Sequence, residues 1–269
     1  DTMTSENYLE RLADKLVGRN VSAEETAGTL NVSVGRGLTA SKANIDPAAL
    51  EDALRDADER DHDRLIAGYA RGVKHVLLEP KRSDAAQWDF VESAGRLMPT
   101  VEVYTFELGA AAASGDRAWT REYHEDLVLA YLIELDLGMR VLTESQFERW
   151  GVTSDRVTAA GRSLLFHKSR NLKSTKLDDF PVVEKFSVGD EYDATRGLVV
   201  ADVFFSEFDD GFRFATPSKD EFLFVRDADD ASIEALCSAV DRAYDQADFP
   251  LTRSIYTFEL GQPTLDIER

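Results

Sequence analysis

The sequence predicts an α+β protein of repeated β-hairpin–helix units, with mixed or antiparallel sheets, helices packed on one face, and two pseudo-related halves. Three observations predict it. Period-2 apolar runs bounded by turn residues alternate with runs whose apolar residues recur at helical spacing. The hexapeptide Tyr-Thr-Phe-Glu-Leu-Gly occurs at 104–109 and again at 256–261, each time after a helical pattern, a proline (Pro99, Pro250) and a short lead-in. Between the two copies, 167–176 carries four positive charges and no acid, a composition shift that marks a linker. The expected division is an N-terminal half at 1–166, a basic linker at 167–181 and a C-terminal half at 182–269.

Each element follows from local pattern. Tyr8, Leu9, Leu12, Leu16 and Val17 give a helix over 5–18, ended by Gly18. Alternation over 29–43, broken by Gly35-Arg36-Gly37, gives a hairpin. Asp46 and Pro47 open a helix that runs to Leu78, and a shorter one with Trp88, Val91 and Leu97 stops at Pro99. A strand is expected over 101–106, a small-residue loop over 110–119, and a doubly covered central strand over 127–135, with 139–142 returning beside it. Two helices follow, broken at Gly151. In the second half the pattern gives a strand over 182–186 and a helix over 192–205. A hairpin pairs Phe212 and Phe214 with Phe222 and Phe224. A helix capped by Asp230 carries Ile233, Leu236, Val240 and Tyr244, and a last strand spans 252–260.

Composition bounds the function. Of 269 residues, 51 are acidic and 31 are Lys or Arg, for a net charge of −20. Such a field opposes nucleic-acid backbones and anionic membranes alike. No apolar run reaches the roughly 20 residues needed to cross a bilayer. One cysteine, Cys237, excludes an internal disulfide framework and a cysteine-based zinc site, and it reads as a small core residue. The N-terminus has no charged-then-apolar signal pattern, so a soluble cytoplasmic protein is expected. Charge is also segregated: 46–63 has a net charge of −6, 220–248 of −7, and 162–176 has five cations and no acid.

Catalytic motifs do not converge. The Gly35–Ala40 segment lies inside a hairpin and does not open a helix, so it lacks the geometry of a dinucleotide loop. The histidines at 62, 75, 124 and 167 are scattered, and Asp61-His62-Asp63 reads as a solvated acidic face. No catalytic residue, metal site or cofactor is assigned. The stretch from Asp190 to Arg196 places acids and an arginine in a first helical turn, where Asp193 caps. As ligand contacts the candidates are Arg140, Arg162, Tyr192, Asp193 and Arg196, with Asp193 or Glu134 as acid/base. Glu107 and Glu259 of the two hexapeptides are either equivalent groups of a pseudo-symmetric site or the solvent faces of two strands; period-2 packing favours the second reading.

From Asp126 onward the chain resembles the YtpQ-like family, domain of unknown function 1444. The resemblance rests on Asp126-Leu127-Val128-Leu129-Ala130-Tyr131-Leu132-Ile133-Glu134-Leu135, Met139-Arg140-Val141-Leu142-Thr143-Glu144, Phe147-Glu148-Arg149-Trp150-Gly151-Val152-Thr153 and Ala159-Ala160-Gly161-Arg162-Ser163-Leu164-Leu165. Tyr192-Asp193-Ala194-Thr195-Arg196, the hairpin around Pro217-Ser218-Lys219-Asp220, and the helix end from Tyr244 to Pro250 continue it. The chain departs from the family at Gly161-Arg162-Ser163-Leu164, where Asn-Leu-Arg is usual. The resemblance implies a fold and carries no activity. Because catalytic residue types do not converge, the function expected is a non-enzymatic interaction or adaptor protein with an acidic surface and a protein partner. The alternatives are an anion or small-molecule binder or enzyme with a site between the halves, and an acidic immunity-type inhibitor of a basic toxin.

Overall fold

The structure, a computed structural model, describes residues 5–18, 21–26, 28–34, 41–79, 85–124, 127–203, 212–259 and 262–267. The chain is α+β with antiparallel sheets, divided into two compact units. Unit 1 comprises Asp1–Leu97 and Glu102–Val157; unit 2 comprises Met98–Val101 and Thr158–Arg269.

Unit 1 opens with α1 (Ser5–Leu16), which buries Tyr8, Leu9, Leu12 and Leu16 on one face and leaves Val17 beyond it exposed. Strands β1 (Val21–Thr26), β2 (Thr29–Val34) and β3 (Ser41–Ile45) form a three-stranded sheet in that order. The expected hairpin pairs Val34 with Ser41; its glycine turn at 35–40 lies outside the described residues. The long helix expected from Pro47 is broken into α2 (Ala48–Asp56), a 3-10 turn (Glu59–Asp61) and α3 (His62–Leu77). The cause is Asp58: its backbone is extended (ψ 140°) and its carboxylate accepts from the Arg60 N–H at 3.1 Å, starting a new turn. Helix α4 (Phe90–Ala94) is fixed by a reciprocal box, Glu92 N–H to Asp89 at 2.9 Å and Asp89 N–H to Glu92 at 2.8 Å.

Leu97 and Pro99 do not end a helix; they lie in β4 (Leu97–Val103), which is buried throughout. β4 stands at the edge of its sheet, in the order β4-β6-β5, where a proline removes no obligatory ladder bond. The strand expected over 101–106 holds only as far as Val103, and the loop expected over 110–119 begins only at Gly115. Thr105–Ser114 is helix α5, ended at Gly115 with φ 78°. Tyr104–Gly109 therefore begins a helix, whereas the second hexapeptide enters a strand. The reason is a close approach of α3 and α5. A Cβ on Gly72 would lie 2.1 Å from the Phe106 carbonyl oxygen, and one on Gly109 2.0 Å from the Tyr69 carbonyl oxygen. Backbone meets backbone there, and the burial of Phe106 and Ala110 outweighs local strand preference. Strand β6 (Leu127–Leu135) is central as expected, pairing with β5 (Thr120–His124) along its first half and with β7 (Gly138–Val141) along its second. Helices α6 (Glu144–Trp150) and α7 (Ser154–Ser169) flank Gly151, whose φ of 61° closes α6.

Unit 2 takes up α7 from Thr158. Residues 167–181 finish α7 and supply β8 (Thr175–Lys176), which pairs with β9 (Glu184–Phe186). The helix expected over 192–205 is a 3-10 turn (Ala194–Arg196) running into α8 (Gly197–Val203); 204–211 lie outside the described residues. β10 (Arg213–Ser218) and β11 (Glu221–Val225) form the expected hairpin, with Phe214 opposite Phe224. Helix α9 (Asp230–Gln246) is capped by Asp229, one residue earlier than expected, through a 2.7 Å bond from the Ser232 N–H. β12 (Ile255–Glu259) and β13 (Gln262–Ile267) complete a six-stranded sheet, β13-β12-β10-β11-β9-β8. Leu236, Ala239 and Val240 of α9 cover one set of inward residues, Ala215, Leu223, Val225 and Ile255. A second set, an aromatic ladder of Phe186, Phe212, Phe214, Phe222, Phe224 and Tyr256, packs with Val200 of α8. Alternation along each strand separates the two sets.

Candidate functional site

The segment before α8 gathers the unit's deepest charges. Gly189 (φ 74°) and Glu191 (φ 65°) turn the chain through the left-handed region. That turn aims the Val188 and Gly189 N–H groups at one oxygen of Asp193, at 2.9 and 3.2 Å. Asp193 was expected to cap the helix; instead it accepts from the preceding loop and makes no cap bond. Its other oxygen accepts from Arg196 at 2.8 Å. Asp190 takes the same guanidinium with both oxygens, at 2.8 and 2.7 Å, and accepts from the Tyr192 N–H at 3.2 Å. Arg196 and Asp193 are fully buried and Tyr192 nearly so.

Burial pushes the Asp193 carboxyl above its usual range, ahead of the opposing pull of Arg196 and the two N–H groups. Burial also acts on Asp190, but the two-pronged bond and charge of Arg196 outweigh it and hold that carboxyl below its usual range. The cluster is anchored on both sides. The Thr195 hydroxyl accepts from the Val101 N–H at 3.0 Å, and Ala194 N–H donates to the Lys219 carbonyl at 3.1 Å. Lys219, 2% exposed, donates to Thr100. Both terminal nitrogens of Arg196 are engaged by carboxylates, while its buried Nε has no partner among the described residues. Chemically this is a closed ion cluster, with no guanidinium fork offered to a ligand.

The other expected ligand contacts belong to other elements. Arg140, on β7 in unit 1, is bonded to Glu79 and to Gln146 Oε1 at 3.4 Å. Arg162 is half-buried on α7 in unit 2, and Glu134 is half-buried on β6 in unit 1. Reading the sequence missed Asp190 as the main partner of Arg196, although its spacing of three and six residues from Asp193 and Arg196 was visible. Lys219 and Thr100, remote in sequence, left no local signal.

Glu107 and Glu259 do not occupy equivalent strands. Glu107 lies on α5 and accepts from Arg117 and Thr120, both at 2.9 Å. The Glu259 side chain lies outside the described residues. His62 is buried, so Asp61-His62-Asp63 is a solvated face only at Asp63, which pairs with Arg11, and partly at Asp61, 3.3 Å from Arg64. Cys237 is half-buried against the α9 core, and no His, Cys, Asp and Glu group among the described residues is arranged to hold a metal. No described helix is long and apolar enough to cross a membrane.

At the surface, Asp46, Asp52, Asp56, Asp58, Glu59 and Asp63 are all exposed along α2, the 3-10 turn and the start of α3. The two arginines among them, Arg55 and Arg60, sit beside Asp52 at 2.7 Å and Asp58 at 3.4 Å. No family model, curated protein or solved structure matches the chain.

Proposed function

We propose that the chain is a non-enzymatic interaction protein, cytoplasmic and YtpQ-like, whose acidic face on α2 and the start of α3 holds a basic region of a partner protein. The observation that carries this reading is the row of six exposed carboxylates between Asp46 and Asp63, whose interspersed arginines are already occupied. The closed state of the Asp190–Asp193–Arg196 cluster supports binding at the surface over anion chemistry inside. Exposed carboxylates stay hydrated until a cation arrives, so attraction is long-ranged and sensitive to salt.

The test is the binding of a labelled Lys/Arg-rich peptide, followed by fluorescence anisotropy at low and high ionic strength. An exposed pair contributes about 0.5 kcal/mol. Reversing Asp52, Asp56 and Glu59 to Lys therefore weakens binding roughly tenfold or more. Reversing the exposed Asp227, Asp230 and Glu234 near α9 leaves it within about twofold. Equal losses from both sets would overturn the assignment to this face, and an absence of binding at low salt would overturn the reading itself.

A further inference from the structure

We propose that the basic strip between the end of α7 and β8 is a second docking surface, one that takes an acidic, extended segment of a partner polypeptide. Residues 162–176 contain five cations and no acid in a chain of net charge −20. His167 and Lys168 are accounted for by the last turn of α7, where positive charge offsets the helix dipole. Arg170, Lys173 and Lys176 lie beyond the helix end at Ser169, are exposed, and need another explanation. A lysine on an edge strand deters edge-to-edge pairing, which covers Lys176 alone.

The carboxylates on which the strip's lysines act are already engaged. Asp190, which feels Lys168, has both oxygens on Arg196. Glu184, which feels Lys176, accepts from Arg226 at 2.8 and 3.2 Å and from Ser174. The Arg226 bond, working against burial, holds Glu184 below the usual carboxylate range. Asp179 pairs with Arg242, which leaves Asp178 as the nearest exposed acid along the chain. Arg170 and Lys173 are thus the cations of the strip with no carboxylate partner among the described residues, and Lys176 acts on a carboxylate that Arg226 already holds.

The geometry favours carboxylates. Arg170 lies over the Phe166 ring at 5.4 Å, and a guanidinium held against an aromatic ring can still donate through its N–H groups to a carboxylate. β8 is the outermost strand, so Lys176 stands at the margin of the sheet with no described strand beyond it. The wider acidic field is screened within about 10 Å at moderate salt, so a short peptide sees mainly the strip. A nucleic acid has a denser charge and a longer footprint, typically six to ten phosphate contacts, and meets more of the −20 field.

The probe is a labelled Asp/Glu-rich peptide, with a single-stranded oligonucleotide of equal charge as comparison. The expected result is saturable peptide binding at moderate ionic strength, about 0.1 M salt. Arg170→Glu/Lys173→Glu/Lys176→Glu should weaken it at least tenfold, and the three glutamine replacements should do so by a smaller factor. Arg55→Glu should leave it unchanged. If the triple variant melts early, Lys173→Glu alone carries the test, since that side chain is exposed and has no partner among the described residues. Absence of peptide binding, equal loss with Arg55→Glu, or tighter binding of the oligonucleotide overturns the proposal. The basic-peptide experiment reads residues of unit 1 and this one residues of unit 2, so either result stands without the other.

Discussion

Arg196 shows how a residue's chemistry depends on what it faces. A fully buried guanidinium with two carboxylates has lost its water, and attraction within the cluster offsets that loss. Arg196→Met strands Asp190 and Asp193 and should lower unfolding free energy by about 3–5 kcal/mol in urea titrations. Asp193→Asn keeps the Asp190–Arg196 fork and an oxygen for the Val188 and Gly189 N–H groups and removes a charge that burial opposes, so a much smaller change, about 1 kcal/mol or less, is expected. Equal losses would mean that Asp190 contributes little. The three-residue spacing of Asp193 and Arg196 was legible in the sequence, but it described a helix cap with an arginine one turn on. The inward turn depends on Gly189 and Glu191 in left-handed conformations and on Lys219 and Thr100 from distant segments. Local pattern does not carry those.

At the scale of elements, the hexapeptide is the sharpest lesson, because Tyr-Thr-Phe-Glu begins a helix at Tyr104 and lies in a strand at Tyr256–Glu259. Elements whose burial follows their own periodicity were legible: α1, α9, β6 and the β10–β11 hairpin. α5 was not, because its helical state rests on glycines of α3, more than thirty residues upstream. This makes a prediction opposite in sign to helix propensity. Alanine is favoured over glycine by about 1 kcal/mol inside a helix. Yet Gly72→Ala and Gly109→Ala place a methyl within 2.1 and 2.0 Å of backbone oxygens. Forcing α3 and α5 apart should cost roughly 1–3 kcal/mol net, read as a lower thermal midpoint. Gly95→Ala, with open space around it, should be close to neutral. A neutral result at Gly72 or Gly109 would mean that the helices do not meet so closely.

For the whole molecule, charge segregation was readable from composition, while which cations stay available was not, since that depends on pairs such as Glu184–Arg226 joined across the sheet. The same balance governs how stability follows pH. Glu184 is held below its ordinary value by Arg226, and Asp190 by Arg196 against burial, so each stabilises the fold above about pH 4 and loses that contribution as pH falls further. Asp193 and Glu221 are raised by burial, so their ionisation works against the fold, and it is relieved as pH falls through their elevated values. A net charge of −20 adds self-repulsion that acidification also reduces. Both effects favour a stability maximum on the acid side of neutrality, with a steep fall once the paired carboxylates protonate. Thermal midpoints should therefore rise from pH 7 toward about pH 5 and drop below about pH 4. Added sodium chloride should raise the midpoint at pH 7 by screening like charges, and by less at pH 5. A midpoint that falls with salt at pH 7 would mean that exposed ion pairs such as Arg242–Asp179 outweigh repulsion among the surface carboxylates.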